Sequence, residues 1–463
     1  MSHLPILVAY MALLVGLGLW IGRRVRNADG FFVANRQLGP GLLFATLLAA
    51  NIGAGSTVGA AGLGFRDGLA AWWWVGAAAI GSFVQAFWIG PRMRREAEAH
   101  GHRTVGDYLE ARYGREVRIV VAALLWLGTL AILAGQLIAM STLLTAVAGT
   151  PKWAGCVLGG AVMTVYFAAG GLLSSAWVNL VQLVVLLVGF SIAVPVALSG
   201  AGGWDAVVHA APQDPAYWSP WRNGASGWMY LAALGPAFIV SPGLLQKIFG
   251  ARDDRAVRIG TGANALVLLA FAVVPPVLGI IARANHPDLA DPQLALPTLL
   301  VRDVPVAIGA LGLAALFSAE VSTADAILFM LSTSLSQDLY RRVVRPNATD
   351  AQVLRVARWA AVGGGTAGVA LALAASTIIG TLQFFYSVMA VCLFVPLLGG
   401  LYVRRVGKAE ALASIGGGML VMLLVQLRTS GAGYGWVTPA MAGLAVAVVG
   451  GLIVFLRPRR ASS

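Results

Sequence analysis

The chain is poor in charge: only 11% of its 463 residues are Asp, Glu, Lys or Arg. It is also nearly without cysteine and histidine, with two and five. So little charge beside 59% hydrophobic residues excludes a soluble domain, which could not keep that much apolar surface from water. Cys156 and Cys392 both fall inside apolar runs, so no disulfide framework is expected. His3, His100, His102, His209 and His286 all fall outside those runs, which argues against a buried histidine proton relay. Loops are short too. Despite a net charge of +13, none is long enough to fold a nucleic-acid reader domain.

What is present is apolar length. Runs of about 20 residues recur throughout, each sufficient to cross about 30 Å of hydrocarbon as a helix. Thirteen spans are predicted, near 4–22, 40–65, 70–90, 118–147, 153–170, 174–199, 227–249, 256–283, 304–338, 355–376, 379–402, 409–427 and 436–456. The first lacks the small-residue cleavage site of a secretory signal and is kept as a mature helix. The fold class is therefore an all-α polytopic membrane protein. Basic clusters lie in alternate loops, as in "RRVR", "RMRREAEAHGHR", "GARDDRAVR", "YRRVVR", "VRRVGK" and "RPRR". Positive loops stay inside, so the N-terminus is expected outside and the C-terminus in the cytoplasm of a bacterial-type inner membrane. The outer loop 200–226 reads as an interfacial cap. "RTVGDYLEARYG" reads as an amphipathic cytoplasmic helix whose charges face solvent. The expected organisation is one membrane domain over 1–463: an extra helix (4–22), two repeats (40–199 and 227–402) and two C-terminal helices (409–456).

Two spans look interrupted. "AANIGAGSTVGAAGLG" (49–64) is too rich in glycine for an ordinary helix, and "LGPAFIVSPG" (234–243) holds Pro236 and Pro242. They lie five spans apart. A five-span unit repeated once puts them in corresponding places, and an odd-numbered unit inserts its second copy upside down. Paired broken helices in inverted halves point to a transporter site at the membrane midplane.

"SAEVSTADAILFMLSTSLSQDLY" (318–340) puts seven Ser/Thr residues and three carboxylates into an apolar region. Ala319, Ser322 and Thr323 are spaced i, i+3, i+4 and share a helix face. One carbonyl and two hydroxyls can meet carbonyls from the interrupted span. Such neutral oxygens suit a hard monovalent cation such as sodium, whereas a transition metal would use histidine or cysteine. The alternative is that the hydroxyls bond only to carbonyls of their own helix.

These segments resemble the solute:sodium symporter family, whose members share the inverted-repeat fold of bacterial leucine transporters. "GFFVANRQLG", "TVGDYLEARYG", "GGLLSSAWVNLVQ" and "PGLLQKIFGARDDRAV" match that family's pattern in the same order, and the similarity covers roughly 25–405. The resemblance implies a 5+5 core with interrupted first and sixth core helices, and a coupling sodium ion. Its ligands would be the carbonyls of Ala49, Ile52 and Ala319 and the hydroxyls of Ser322 and Thr323. The solute would lie among Asn51, Ser56, Thr57, Ser241 and Gln246, with Trp73 and Gln136 as further candidates. Where many members carry Asp in a Thr-Asp-x-x-Gln motif, this chain has Asn179, with Gln182 kept. That substitution argues for a single sodium.

Asp325 is expected inside the bundle, where a carboxylate is functional by default, and Glu320 either buried there or at a wet cavity. Asp325 is a coupling candidate, beside Asn179. Asp338 is expected at the cytoplasmic boundary, paired with Arg341 or Arg342. The function expected is sodium-coupled import of a small polar solute, an amino acid or small organic acid, by alternating access. The alternatives are a proton-coupled carrier using Asp325, or a sensor needing a separate output partner. No catalytic set is visible, so no enzyme is expected. The expected partners are the solute and membrane lipid, with no nucleic acid and no obligate protein.

Overall fold

A computed structural model describes residues 3–22, 34–221, 226–375, 377–403 and 405–456. The basic clusters at 23–26 and 457–460 lie outside them. Among the described residues the chain is helical, and its only β-bridges are isolated. Nine helical stretches are long and apolar enough to cross a membrane, and three shorter apolar helices accompany them. The expected thirteen spans are thus not reproduced one for one.

In chain order the helices are α1 Leu4–Gly22, α2 Pro40–Asn51, α3 Ala60–Asp67, α4 Trp72–Val84 and α5 Gly90–His100. Then come α6 Val105–Tyr113, α7 Arg115–Ala148, α8 Lys152–Gly200, α9 Trp204–Ala210 and α10 Ser226–Ile239. Next are α11 Pro242–Phe249, α12 Asp254–Phe271, α13 Val274–Asn285, α14 Ala295–Arg302 and α15 Val306–Thr333. The last four are α16 Asp350–Ala374, α17 Ile378–Tyr402, α18 Lys408–Arg428 and α19 Pro439–Leu456.

Both interruptions are present. α2 stops at Asn51, Ile52 turns extended (φ −101°, ψ 99°), and helix resumes through a π-helical turn, Gly55–Gly59, into α3. α10 stops at Ile239, and α11 begins at Pro242, whose fixed φ and missing N–H suit a first helical position. Each break frees backbone groups inside the bilayer, where no water can satisfy them. A buried glutamine serves each one. Gln136 of α7 accepts from the Ala54 N–H at 2.8 Å. Gln85 donates to the carbonyls of Phe238 and Ile239 at 3.2 and 3.3 Å.

One expectation fails. The chain from Lys152 to Gly200, expected as two spans, forms one helical element of 49 residues. "GGLLSS" contains no proline, so helical hydrogen bonding continues where a turn was read. Two partners hold its ends. Gly155 and Gly159 meet Ser141 and Met140 of α7, whereas Gly189 meets Leu311 and Ala315 of α15. Small residues let backbones approach elsewhere too. A Cβ on Gly279 of α13 would overlap the Ala61 carbonyl of α3.

The "TVGDYLEARYG" segment forms α6, started by a capping box between Thr104 and Asp107. Its acids are not all solvated. Asp107 and Glu110 turn inward to Arg118, the fully buried arginine near the start of α7. Asp338 joins them, bonded to Arg118 and to Thr104 Oγ1 at 2.7 Å. The expected pairing of Asp338 with Arg341 or Arg342 is therefore corrected. Asp338 is buried within the bundle, where Arg118 meets it, while Arg341 turns to Asp350 at 2.8 Å.

Candidate functional site

The end of α2 and the middle of α15 face each other at the first interruption. Ser322 Oγ donates toward the Ala49 carbonyl at 2.8 Å and lies 3.2 Å from the Ala319 carbonyl. Thr323 Oγ1 is 3.0 Å from the Ile52 carbonyl and 3.2 Å from that of Ala49. The Ala50 carbonyl lies 3.4 Å from the same hydroxyl. The five oxygens read from the sequence thus converge on one buried spot. They meet because helix spacing aligns three on α15 while the break at Ile52 turns the ends of α2 carbonyls away from their own helix. Ser322 and Thr323 reach across to α2, so the alternative of bonding only within their own helix does not hold. Converging carbonyls and hydroxyls can replace the hydration shell of a small monovalent cation.

Gly53 permits this approach. A Cβ there would overlap the Thr323 side chain. Ser56 folds back on the break, accepting from the Gly53 N–H at 2.9 Å and reaching the Asn51 carbonyl at 3.0 Å. Asn51 donates to Asn264 of α12 at 3.1 Å.

A small cavity opens beside this spot. Its lining includes Asn51, Ser56, Trp74, Gln136, Phe238 and Tyr386, with Thr323 at its edge. Three of the seven solute candidates, Asn51, Ser56 and Gln136, are here. The other four are elsewhere. Thr57 is buried behind the break, bonded to the Gly53 carbonyl at 2.8 Å and to Glu320 at 3.0 Å. Ser241 sits in the second break, outside the cavity lining. Gln246 faces Thr333 at 3.2 Å and lines a different pocket, with Thr104 and Asp338. Trp73 packs at a tilt against Trp221 of the 200–226 loop, ring centroids 4.7 Å apart, and its neighbour Trp74 lines the cavity instead.

Sequence reasoning missed Trp74, Phe238 and Tyr386. Trp74 packs edge-on against Tyr386, with centroids 6.1 Å apart, and Phe238 lies 5.2 Å from Tyr386. Among the described residues the lining holds no Asp, Glu, Lys or Arg. Gln136 carries the specific polar signal. Its Oε1 is committed to Ala54, and its buried Nε2 has no hydrogen-bond partner. A buried amide N–H calls for an acceptor.

The coupling candidates lie one turn deeper. Asn179 of α8 donates to Thr46 Oγ1 at 3.5 Å. Asp325 is buried and interacts electrostatically with Lys247 of α11, a fourth residue the sequence reading passed over. Glu320 is fully buried, with Thr57 on one oxygen and no hydrogen-bond partner on the other.

Comparison with known proteins agrees with this geometry. The pattern of the sodium:solute symporter family matches residues 31–418. The sodium/pantothenate symporter of Escherichia coli K12 is 29% identical, over 94% of this chain and 93% of that protein. A sodium/glucose cotransporter of Vibrio parahaemolyticus is 26% identical, over 92% and 81%. Among solved structures, a Na⁺-coupled sialic acid symporter in a substrate-bound outward-open state superposes with a TM-score of 0.83 at 16% identity, covering 98% of both chains. That likeness carries the fold.

Proposed function

Because the chain belongs to the sodium:solute symporter family, we propose that it imports a small organic acid or amino acid with one sodium ion, held by the carbonyls of Ala49, Ile52 and Ala319 and the hydroxyls of Ser322 and Thr323. The observation that carries this is the convergence of those oxygens between α2 and α15. The names of the relatives include an acid and a sugar, so they leave the solute open. The cavity favours the acid: its unsatisfied polar atom is a donor, Gln136 Nε2, and its walls are aromatic. A carboxylate or carbonyl accepts from Gln136, while an apolar body lies against Trp74, Phe238 and Tyr386.

We place the N-terminus outside and the basic loops in the cytoplasm of a bacterial inner membrane. Sodium then enters from outside and draws α2 and α15 together, and the solute fills the adjoining cavity. The bundle rocks, and both leave to the cytoplasm. A membrane potential of 100 mV adds about 2.3 kcal/mol of drive per charge. No comparison favours the proton-coupled carrier or the sensor. The family matched and the two relatives named above are sodium-coupled by name, and this class of protein moves solutes, so no catalytic activity is proposed.

Thermal unfolding of the purified protein in detergent tests the ion first, with NaCl titrated against choline chloride. Sodium-specific stabilisation is expected, followed by sodium-driven uptake of radiolabelled carboxylates into proteoliposomes. Equal stability in both salts would sink the sodium site. Uptake of neutral sugars but no acids would sink the solute assignment.

A further inference from the structure

Lys247 is a full charge, 1% exposed, beside a site otherwise made of neutral oxygens. It sits on α11, the helix that follows the second break. Its ammonium donates to Thr46 Oγ1 at 2.7 Å and to the Thr46 carbonyl at 3.0 Å. Thr46 lies one turn before Ala49, whose carbonyl faces Ser322 and Thr323. The same Thr46 hydroxyl meets the Asn179 side chain of α8. Asp325, also 1% exposed, lies two residues beyond Thr323 and is the acidic group that acts on Lys247. Lysine is almost never this buried unless paired, and an ion pair taken out of water keeps its place only with further hydrogen bonds. Here Thr46 supplies them.

The chemistry around the ammonium is that of a cation site: a carbonyl and a hydroxyl from α2 and a carboxylate from α15, with the amide of Asn179 on α8 set against the same hydroxyl. We propose that Lys247 is a tethered cation that occupies this second position, so that the protein binds one sodium ion rather than two. The same ammonium fastens α11 to α2, the helix that ends at the sodium ligands. Movement of α2 on sodium release is thereby passed to the helix beyond the second break. The proposal rests on the sodium site described above, and it concerns only what lies one turn deeper.

Equilibrium binding of radioactive sodium to the purified protein tests it, across four forms. The wild type is expected to bind one ion. Lys247→Met exposes Asp325 and is expected to bind two. Lys247→Met/Asp325→Asn, which leaves neither charge, is expected to return to one. Two ions on the wild type, or one on a folded Lys247→Met, would overturn the proposal. If Lys247→Met does not fold, the double variant must recover the fold, and failure to do so overturns the pairing. Thr323→Ala separates the two readings. If it abolishes the wild-type ion, the site between α2 and α15 stands whatever Lys247 does. If it leaves that ion bound, the site assignment fails while the comparison of Lys247→Met with the double variant still reports on the second position.

Discussion

Two regions of this protein handle charge in opposite ways. Between α2 and α15, carbonyls and hydroxyls converge with no charged side chain among them. At the basic face, Arg118 is fully buried among Asp107, Glu110 and Asp338. As the proposed sodium site, the first arrangement would bind by partial charges, each contact weak enough for an ion to be released. The second is a set of full charges in hydrogen-bond contact, and removing one partner leaves the others uncompensated. A transporter needs both kinds of site: one that lets go, and one that holds α6, α7 and the π-helical stretch Ser334–Val344 after α15 in register.

The largest expected effect breaks the second region. Arg118→Ala leaves three inward carboxylates facing each other and should cost about 3–5 kcal/mol of stability. Thermal unfolding in choline chloride measures it, where sodium cannot compensate. Arg118→Lys keeps the charge but loses the fork that reaches three acids at once, and should fall between. An unchanged melting temperature in Arg118→Ala would place the whole contrast in doubt.

Thr323→Ala addresses the first region. Its fold should survive in choline, since the hydroxyl meets only neutral carbonyls. Its sodium-dependent stabilisation should disappear, about 2 kcal/mol at thirty times the dissociation constant. Gln136→Ala sharpens the division within that region. It should raise the solute KM about tenfold, roughly 1.4 kcal/mol, while the sodium-induced shift in melting temperature remains. A Gln136→Ala variant that loses the sodium shift as well would mean that Gln136 serves the break at Ala54 more than the solute.

How much of this the sequence shows depends on distance along the chain. Of the proposed sodium ligands, those on α15 were legible as a local i, i+3, i+4 set and the glycine-rich break showed where carbonyls would come free, but Ala49 and Ile52 themselves came from the family resemblance. The choice between Trp73 and Trp74 was not. In "WWW" each residue turns about 100° from the last. Which ring faces inward is set by the 3₁₀ turn Gly68–Ala71 that starts α4, and no periodicity announces it. Asp338 was misjudged because its partner Arg118 lies 220 residues away, whereas Arg341 and Arg342 stand next to it in the sequence. Lys247 was passed over for a similar reason. A lysine near the end of a span looks like a boundary charge until α2 and α15 are seen beside it. The long α8 shows the converse error: a break was expected between 170 and 174, where helical hydrogen bonding continues.

The smallest expected effect concerns pH at the basic face. Burial alone would raise the Asp107 carboxyl, but the Arg118 guanidinium and the N–H groups of Arg103 and Thr104 outweigh it and hold it below its ordinary value. Arg342, Glu110, Asp338 and His102 also face this group. A carboxyl depressed by folding contributes stability that is complete above its unfolded value near pH 4 and is lost as pH falls through its folded value. Melting temperature should therefore drop along the acid limb below about pH 4. Asp107→Asn should begin lower at neutral pH and fall less steeply, because it carries no charge to lose. The sodium-dependent shift at pH 7 should be the same in both proteins, since the oxygens that meet Ser322 and Thr323 are carbonyls and hydroxyls. If Asp107→Asn changed the sodium shift but not the acid limb, the two regions would be coupled more closely than their chemistry suggests, and the helix joining them, α15, would be the place to look.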